Sequence, residues 1–255
     1  MLRKGITKKV LLSSLGAQLN ITICKLVRDW FYNNECTDFA SLFTAFKMSH
    51  SYPAGFVDNK VVQNDVIHFL STFDKHIQGF EIEETPSEDE KDNSRKQYFI
   101  GTKHKIINSD EYGMIPLEWE SAGTLKMFSL YSCIQNVLKN GGVFFVDELN
   151  ARLHPLLVRN IILSFLNPRI NVNNAQIIFT SHDTWQLSNQ LLRRDEIWFT
   201  EKNTDGISKL YSLADFVDED GTKIRKDENY EKNYLLGKYG AIPELSEINL
   251  VGGKE

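Results

Sequence analysis

Two short runs, Val143-Phe144-Phe145-Val146 and Gln176-Ile177-Ile178-Phe179-Thr180, constrain the fold more than any other feature of the chain. Their apolar residues are continuous rather than alternating, which predicts strands buried in a parallel sheet. Between them, Pro155 to Leu166 is rich in apolar residues and opens with a proline suited to a first helical turn. Strand, helix and strand in that order describe a crossover between parallel neighbours, with helices covering both faces of the sheet.

The remaining pattern is mixed. From Lys8 to Phe31, apolar residues recur at helical spacing, and Val62 to Ile77 forms a second amphipathic set. The break between them falls at Tyr52-Pro53-Ala54-Gly55. The basic start of the chain leads into LLSSLGAQL. Gln18 and Asn20 interrupt that run, and no small-residue cleavage site follows, so a helix is expected rather than a signal peptide. Phe80, Ile82, Tyr98, Ile100 and Ile106-Ile107 suggest strands flanking the acidic stretch from Glu83 to Ser94, which reads as a solvated hairpin loop. Leu125 to Leu138 is helical in pattern. Glu196 to Thr200 and Ser208 to Tyr211 read as strands joined through Asp205-Gly206. Asp215, Asp218, Glu219 and Asp220 read as a solvated turn.

Composition removes several classes. With 42% hydrophobic and 25% charged residues, the chain is neither disordered nor fibrous, and 255 residues suffice for one large domain or two small ones. No apolar run reaches the ~18 residues of a membrane span. Cys24, Cys36 and Cys133 have no metal or redox spacing, which fits small core residues in a reducing, cytoplasmic compartment. A net charge of -5 argues against a globally basic nucleic-acid binder. Arg3, Lys4, Lys8 and Lys9 leave only a small basic start that could touch nucleic acid or a partner.

Chemistry concentrates where the strands end. Asp147-Glu148 follows the first strand, at the end that faces the ligand crevice in open α/β sheets. Such a pair suits nucleotide hydrolysis, Asp147 holding hydrated Mg²⁺ and Glu148 polarising the attacking water. Taken alone it equally suits a solvated loop. The second strand leads into Ser181-His182, and a neutral histidine there can hydrogen-bond a terminal phosphate; a lone histidine after a strand is more often structural. Upstream, Ser121-Ala122-Gly123-Thr124 opens a helix. Free N–H groups at such a start bind anions, and Gly123 permits close backbone approach. Ser121 or Thr124 as a plain helix cap is the competing reading.

In order, Ser-x-Gly, a helix, the apolar strand with Asp-Glu, Leu-His-Pro and the strand with Thr-Ser-His resemble the ABC-type ATPase family. The likeness is to its bacterial branch related to chromosome-maintenance and double-strand-break-repair ATPases. The resemblance implies a signature motif at Ser121, Gly123 and Thr124. It implies Walker B at Asp147 and Glu148, the switch histidine at His182, and a D-loop contacting a dimer partner over 150–154. Arg193 to Phe199, Glu201-Lys202 and Asn229 to Pro243 look like the tail of stand-alone bacterial AAA/ABC ATPases found in phage-defence and abortive-infection settings. The fold so implied is α/β: a partial ABC-type nucleotide-binding fold, with a parallel sheet flanked by helices and an N-terminal helical arm. Residues 1–78 would form the arm or lid and 79–255 the C-terminal lobe. ATP and Mg²⁺ are the implied cofactors.

No Gly-x-x-x-x-Gly-Lys-Ser/Thr occurs in the sequence. At Gly237-Lys238, Lys232 stands where the first glycine belongs and Tyr239 replaces Ser/Thr. Without that loop the phosphates lose their backbone cradle and its lysine. The expectation is therefore an ATPase portion that is inactive alone and works with a P-loop-bearing segment or partner chain, as a dimer. The competing expectation is a non-catalytic module that docks an effector such as a nuclease or toxin. A helicase-type box lacks its own P-loop and basic motifs, and a Toprim-type nuclease lacks further acidic clusters after strands.

Overall fold

The computed structural model describes residues 12–32, 34–38, 52–85, 97–218 and 221–243. The chain divides into two compact units, residues 1–182 and 183–255.

The first unit is mixed α/β with two small sheets. Its parallel sheet has the order β1-β5-β6, built from β1 (Glu35–Asp38), β5 (Val143–Asp147) and β6 (Gln176–Phe179). Phe144 aligns with Ile177 and Phe145 with Ile178 across the β5–β6 pair. Phe144 and Val146 are fully buried, whereas Val143 and Phe145, on the opposite face, are only half-buried. β1 lies in a part of the chain where the periodicity predicts helices alone. The predicted helix from Lys8 also differs from what forms. Its described part is two helices, α1 (Leu12–Gln18) and α2 (Thr22–Tyr32), separated by Asn20 at φ 63°. Asparagine tolerates that left-handed conformation and breaks the helix there.

The second sheet is antiparallel: β2 (Ile77–Thr85), β3 (Gln97–Lys105) and β4 (Tyr112–Pro116). β2 and β3 form the expected pair. Of the acidic stretch, residues 86–96 lie outside the described residues. Ile106-Ile107 ends β3 in a turn instead of starting a strand. α3 (Lys60–Leu70), capped by the Asn59 side chain, packs against β2. Phe56, Phe80 and Phe128 meet edge-on or tilted, with ring centroids 4.9 to 6.0 Å apart. That cluster joins the turn before α3, β2 and the long helix α4 (Ala122–Asn140).

α4 ends at Gly141, whose φ of 70° closes the helix in the left-handed form and delivers the chain into β5. α5 (Pro155–Leu166) carries the expected proline in its first turn. His154 caps it, Nδ1 accepting from the Leu156 N–H at 3.2 Å. α4 and α5 both pack on the parallel sheet and share a shallow groove lined by Met127, Ile134, Leu157 and Ile161, so they lie side by side.

The second unit holds the hairpin β7 (Trp198–Lys202) and β8 (Ser208–Ser212), with α6 (Tyr230–Leu235). Its core is Ile197, Phe199, Leu213, Ile224, Tyr230 and Tyr239. Phe199 stacks on Tyr234 at 5.4 Å. Asp215 lies in a turn as expected, while Glu219 and Asp220 are outside the described residues. Cys24 and Cys133 are unbridged and half-buried, not core. The side chain of Cys36 is outside what the structure describes, as are Arg3, Lys4, Lys8 and Lys9. Among the described residues, no helix is long and apolar enough to cross a membrane.

Candidate functional site

The parallel register brings the ends of β5 and β6 side by side, and with them three of the candidate residues. The Thr180 hydroxyl donates to Asp147 Oδ1 at 2.5 Å and accepts from the Glu148 N–H at 2.9 Å. Backbone bonds from the Thr180 N–H to the Val146 carbonyl (3.0 Å) and from the Leu149 N–H to the Thr180 carbonyl (3.1 Å) extend the pairing past the strands. Glu148 is consequently held at φ 55°, a conformation that costs a non-glycine residue about 1 kcal/mol or more. This bend aims its carboxylate at His182: Oε1 and Nε2 are 2.8 Å apart. The Glu148 side chain is 21% exposed and that of His182 85%, so the pair spans from a sheltered carboxylate to an imidazole open to solvent.

Asp147 is exposed at the end of β5. Hydrated Mg²⁺ takes oxygen ligands and needs only one or two protein carboxylates beside water and phosphate. An exposed carboxylate, oriented by a hydroxyl and backed by a second carboxylate, fits such an ion. Among the described residues, no group of three or more His, Cys, Asp or Glu side chains could hold a metal. That donor set suits magnesium with phosphate better than an all-protein metal cage.

Ser121, Gly123 and Thr124 form the first turn of α4. The cap expected as the competing reading is present: Ser121 Oγ accepts from the Thr124 N–H at 3.1 Å and lies 2.8 Å from Thr124 Oγ1. Gly123 sits so close to the loop after β5 that an added Cβ would lie 3.2 Å from the Arg152 carbonyl oxygen. The helix start therefore abuts the loop that leaves the Asp-Glu pair. Residues 150–154 build this loop, with Arg152 at φ 63° and Asn150 Oδ1 buried without a hydrogen-bond partner.

Lys126 is a residue that motif matching misses. It is fully buried, and its ammonium donates to the carbonyls of Glu148 (3.1 Å), Leu149 (2.8 Å) and Ala151 (2.7 Å). Burial lowers its pKa to about 8 against the nearby charge of Glu148, which acts the other way. Lys126 thereby ties α4 to the turn that carries Glu148. The signal was in the sequence: Lys126, Leu130, Ile134 and Val137 share one helical stripe, so a lysine stands on an apolar face.

Glu120, just before the cap, is a second such residue. Its Oε1 lies 2.6 Å from His104 Nε2 and accepts from the Thr102 hydroxyl, anchoring the start of α4 to β3. Nothing in the local sequence announces that pairing.

Chemically, the arrangement offers a carboxylate for a hydrated cation, a second carboxylate for water, and an imidazole at the solvent edge. A family model described as "AAA domain, putative AbiEii toxin, Type IV TA system" matches residues 2–184, a span that takes in every one of these side chains. No curated protein matches the chain.

Proposed function

We propose, on the premise that the chain belongs to this AAA-domain family, that it supplies the Walker B, signature and switch part of an ABC-type ATP-hydrolysing site. The observation that carries this reading is the Glu148–His182 pair, set beside Asp147 by Thr180 at the C-terminal ends of adjacent parallel strands. Ligands of open α/β sheets bind at those ends.

In this reading Glu148 orients the attacking water and accepts its proton. His182 donates to the terminal phosphate from the solvent side. Asp147, oriented by Thr180, would hold the magnesium ion, which supplies neutralisation of phosphate charge when bound. Ser121, Gly123 and Thr124 present the N-terminus of α4 to phosphate, in a dimer that closes on ATP. A P-loop-bearing segment or partner chain supplies the cradle for the β- and γ-phosphates. The bacterial repair-type branch, the arm-and-lobe division at residue 78, action in the cytoplasm and a role in phage defence complete the reading. The toxin–antitoxin wording of the family description supports the last of these.

The test is phosphate release from ATP with Mg²⁺ by the chain combined with a P-loop-bearing polypeptide. Turnover that requires both components and is lost in Glu148→Gln is expected. Turnover by the Glu148→Gln chain at the wild-type rate would overturn the assignment.

A further inference from the structure

Glu120 stands where a carboxylate is unfavourable for two reasons. Its side chain is only 8% exposed, and a buried carboxylate is costly unless it is hydrogen-bonded. It also directly precedes Ser121, at a helix start whose partial positive charge attracts anions. Ser121 Oγ takes the Thr124 N–H, so Glu120 is not needed as a cap. The helix leaves the N–H groups of Ala122 and Gly123 without an intrahelical partner. A carboxylate turned toward that end would compete with phosphate for those donors.

The Glu120 side chain is instead engaged by β3. Its Oε1 lies 2.6 Å from His104 Nε2 and accepts from the Thr102 hydroxyl. Thr102 is fully buried, with its Oγ1 2.9 Å from the Ile115 carbonyl oxygen and 3.2 Å from His104 Nε2. Thr102 and His104 are two residues apart on one strand, so their side chains share a face. That strand pairs with β2 on one side and β4 on the other, which holds the backbone under both partners. The start of α4 has little freedom elsewhere. A Cβ added at Gly123 would lie 3.2 Å from the Arg152 carbonyl oxygen, and Lys126 bonds to the turn that carries Glu148. The first turn of α4 therefore sits between the Glu120 anchor and the loop after β5.

We infer that Glu120 is a positioning residue for the anion-facing end of α4. Its pairing with His104 and Thr102 fixes the direction in which the chain enters Ser121, and it withholds the Glu120 charge from the phosphate. Buried polar and ionic pairings contribute little net stability, and an apolar residue of similar volume would fill the place at less cost. What this pairing adds is direction, because two hydrogen bonds orient the carboxylate. The inference rests on the nucleotide-site reading above for the identity of the anion.

The first measurement is amide hydrogen exchange in the full chain at Thr124 and Leu125, whose N–H groups bond to Ser121 Oγ and to the Ser121 carbonyl. Relative to Val137 farther along α4, exchange there should quicken about tenfold in Glu120→Ala and in His104→Ala. Glu120→Gln keeps an acceptor at Oε1 and should stay within about twofold of wild type. The second measurement is ATP turnover by the chain combined with a P-loop-bearing polypeptide. His104→Ala frees the carboxylate and should raise KM for ATP about tenfold, with kcat changed less. Adding Glu120→Gln to His104→Ala removes the charge and should return KM to within about threefold of wild type, although more of the pairing is lost. A role confined to folding predicts a double variant no better than His104→Ala. Wild-type exchange in both alanine variants would overturn the inference, as would a KM that stays raised in the double variant. If the wild-type mixture releases no phosphate while the exchange results hold, the nucleotide-site reading falls and the anchor at Glu120 stands.

Discussion

His182 Nε2 lies 2.8 Å from Glu148 Oε1 across the ends of two parallel strands, the imidazole largely exposed and the carboxylate sheltered. In the proposed site, Glu148 serves the attacking water and His182 the terminal phosphate. If the two act as a unit, their effects are not additive. Glu148→Gln and His182→Ala should each lower ATP turnover of the assembled site by about 10²-fold or more, with the double variant little worse than Glu148→Gln alone. Steady-state phosphate release on all three variants checks this. Single losses that multiply in the double variant would show two independent roles.

Thr180 serves both carboxylate residues at once, donating to Asp147 and accepting from the Glu148 N–H. Thr180→Val removes the donor to Asp147 and the acceptor for the Glu148 N–H at nearly constant volume. The loss should be about 1–2 kcal/mol, read as a lower urea midpoint with an unchanged m-value. Thr180→Ser keeps the hydroxyl and should recover most of it. Equal midpoints for the valine and serine variants would contradict the bridging role.

Legibility in the sequence followed the range of the interactions. The strands around Val143 and Gln176 and the helix from Pro155 were readable because burial and a proline act locally. The parallel pairing followed from their order. Asp147, Glu148 and His182 were readable for the same reason, as residues placed at strand ends. β1 was not: four residues, Glu-Cys-Thr-Asp, carry no hydrophobic pattern and become a strand through pairing with β5. The uneven burial of the sheet was equally hidden: continuous apolar runs predict cover on both sides, yet among the described residues of β5 and β6 Phe144 and Val146 alone are fully buried. Glu120 meets His104 through an antiparallel sheet whose last strand, β4, the pattern did not announce.

Lys126 carries a pH dependence of definite sign. Its pKa is about 8 in the folded chain and near 10.5 when unfolded, so between these values the unfolded state binds more protons. Stability therefore rises with pH over that window and is flat below it with respect to this group. At about 1.4 kcal/mol per pH unit, the ceiling is about 3 kcal/mol. Lys126→Met strands three carbonyls and should cost about 2–3 kcal/mol at pH 7. The stability gap between wild type and variant, measured by denaturant titration at each pH, should widen from pH 8 to 10 as other titrating groups cancel. A gap that narrows would reverse the sign.

Ser121 permits a separation of capping from anion binding, because both roles belong to one hydroxyl. Its Oγ accepts from the Thr124 N–H, so Ser121→Ala should cost about 1 kcal/mol as a lost helix cap. Asp caps as well as Ser, and its charge favours the helix N-terminus, so Ser121→Asp should keep stability within about 0.5 kcal/mol of wild type. The same charge would repel a phosphate approaching the start of α4. If that helix end serves nucleotide, Ser121→Asp should abolish ATP turnover by the assembled site while melting like wild type. Ser121→Ala should fold less stably yet retain part of the activity through the remaining backbone N–H groups. Thermal melts paired with phosphate release distinguish the two. A fully active Ser121→Asp chain would leave the serine with its cap and nothing more.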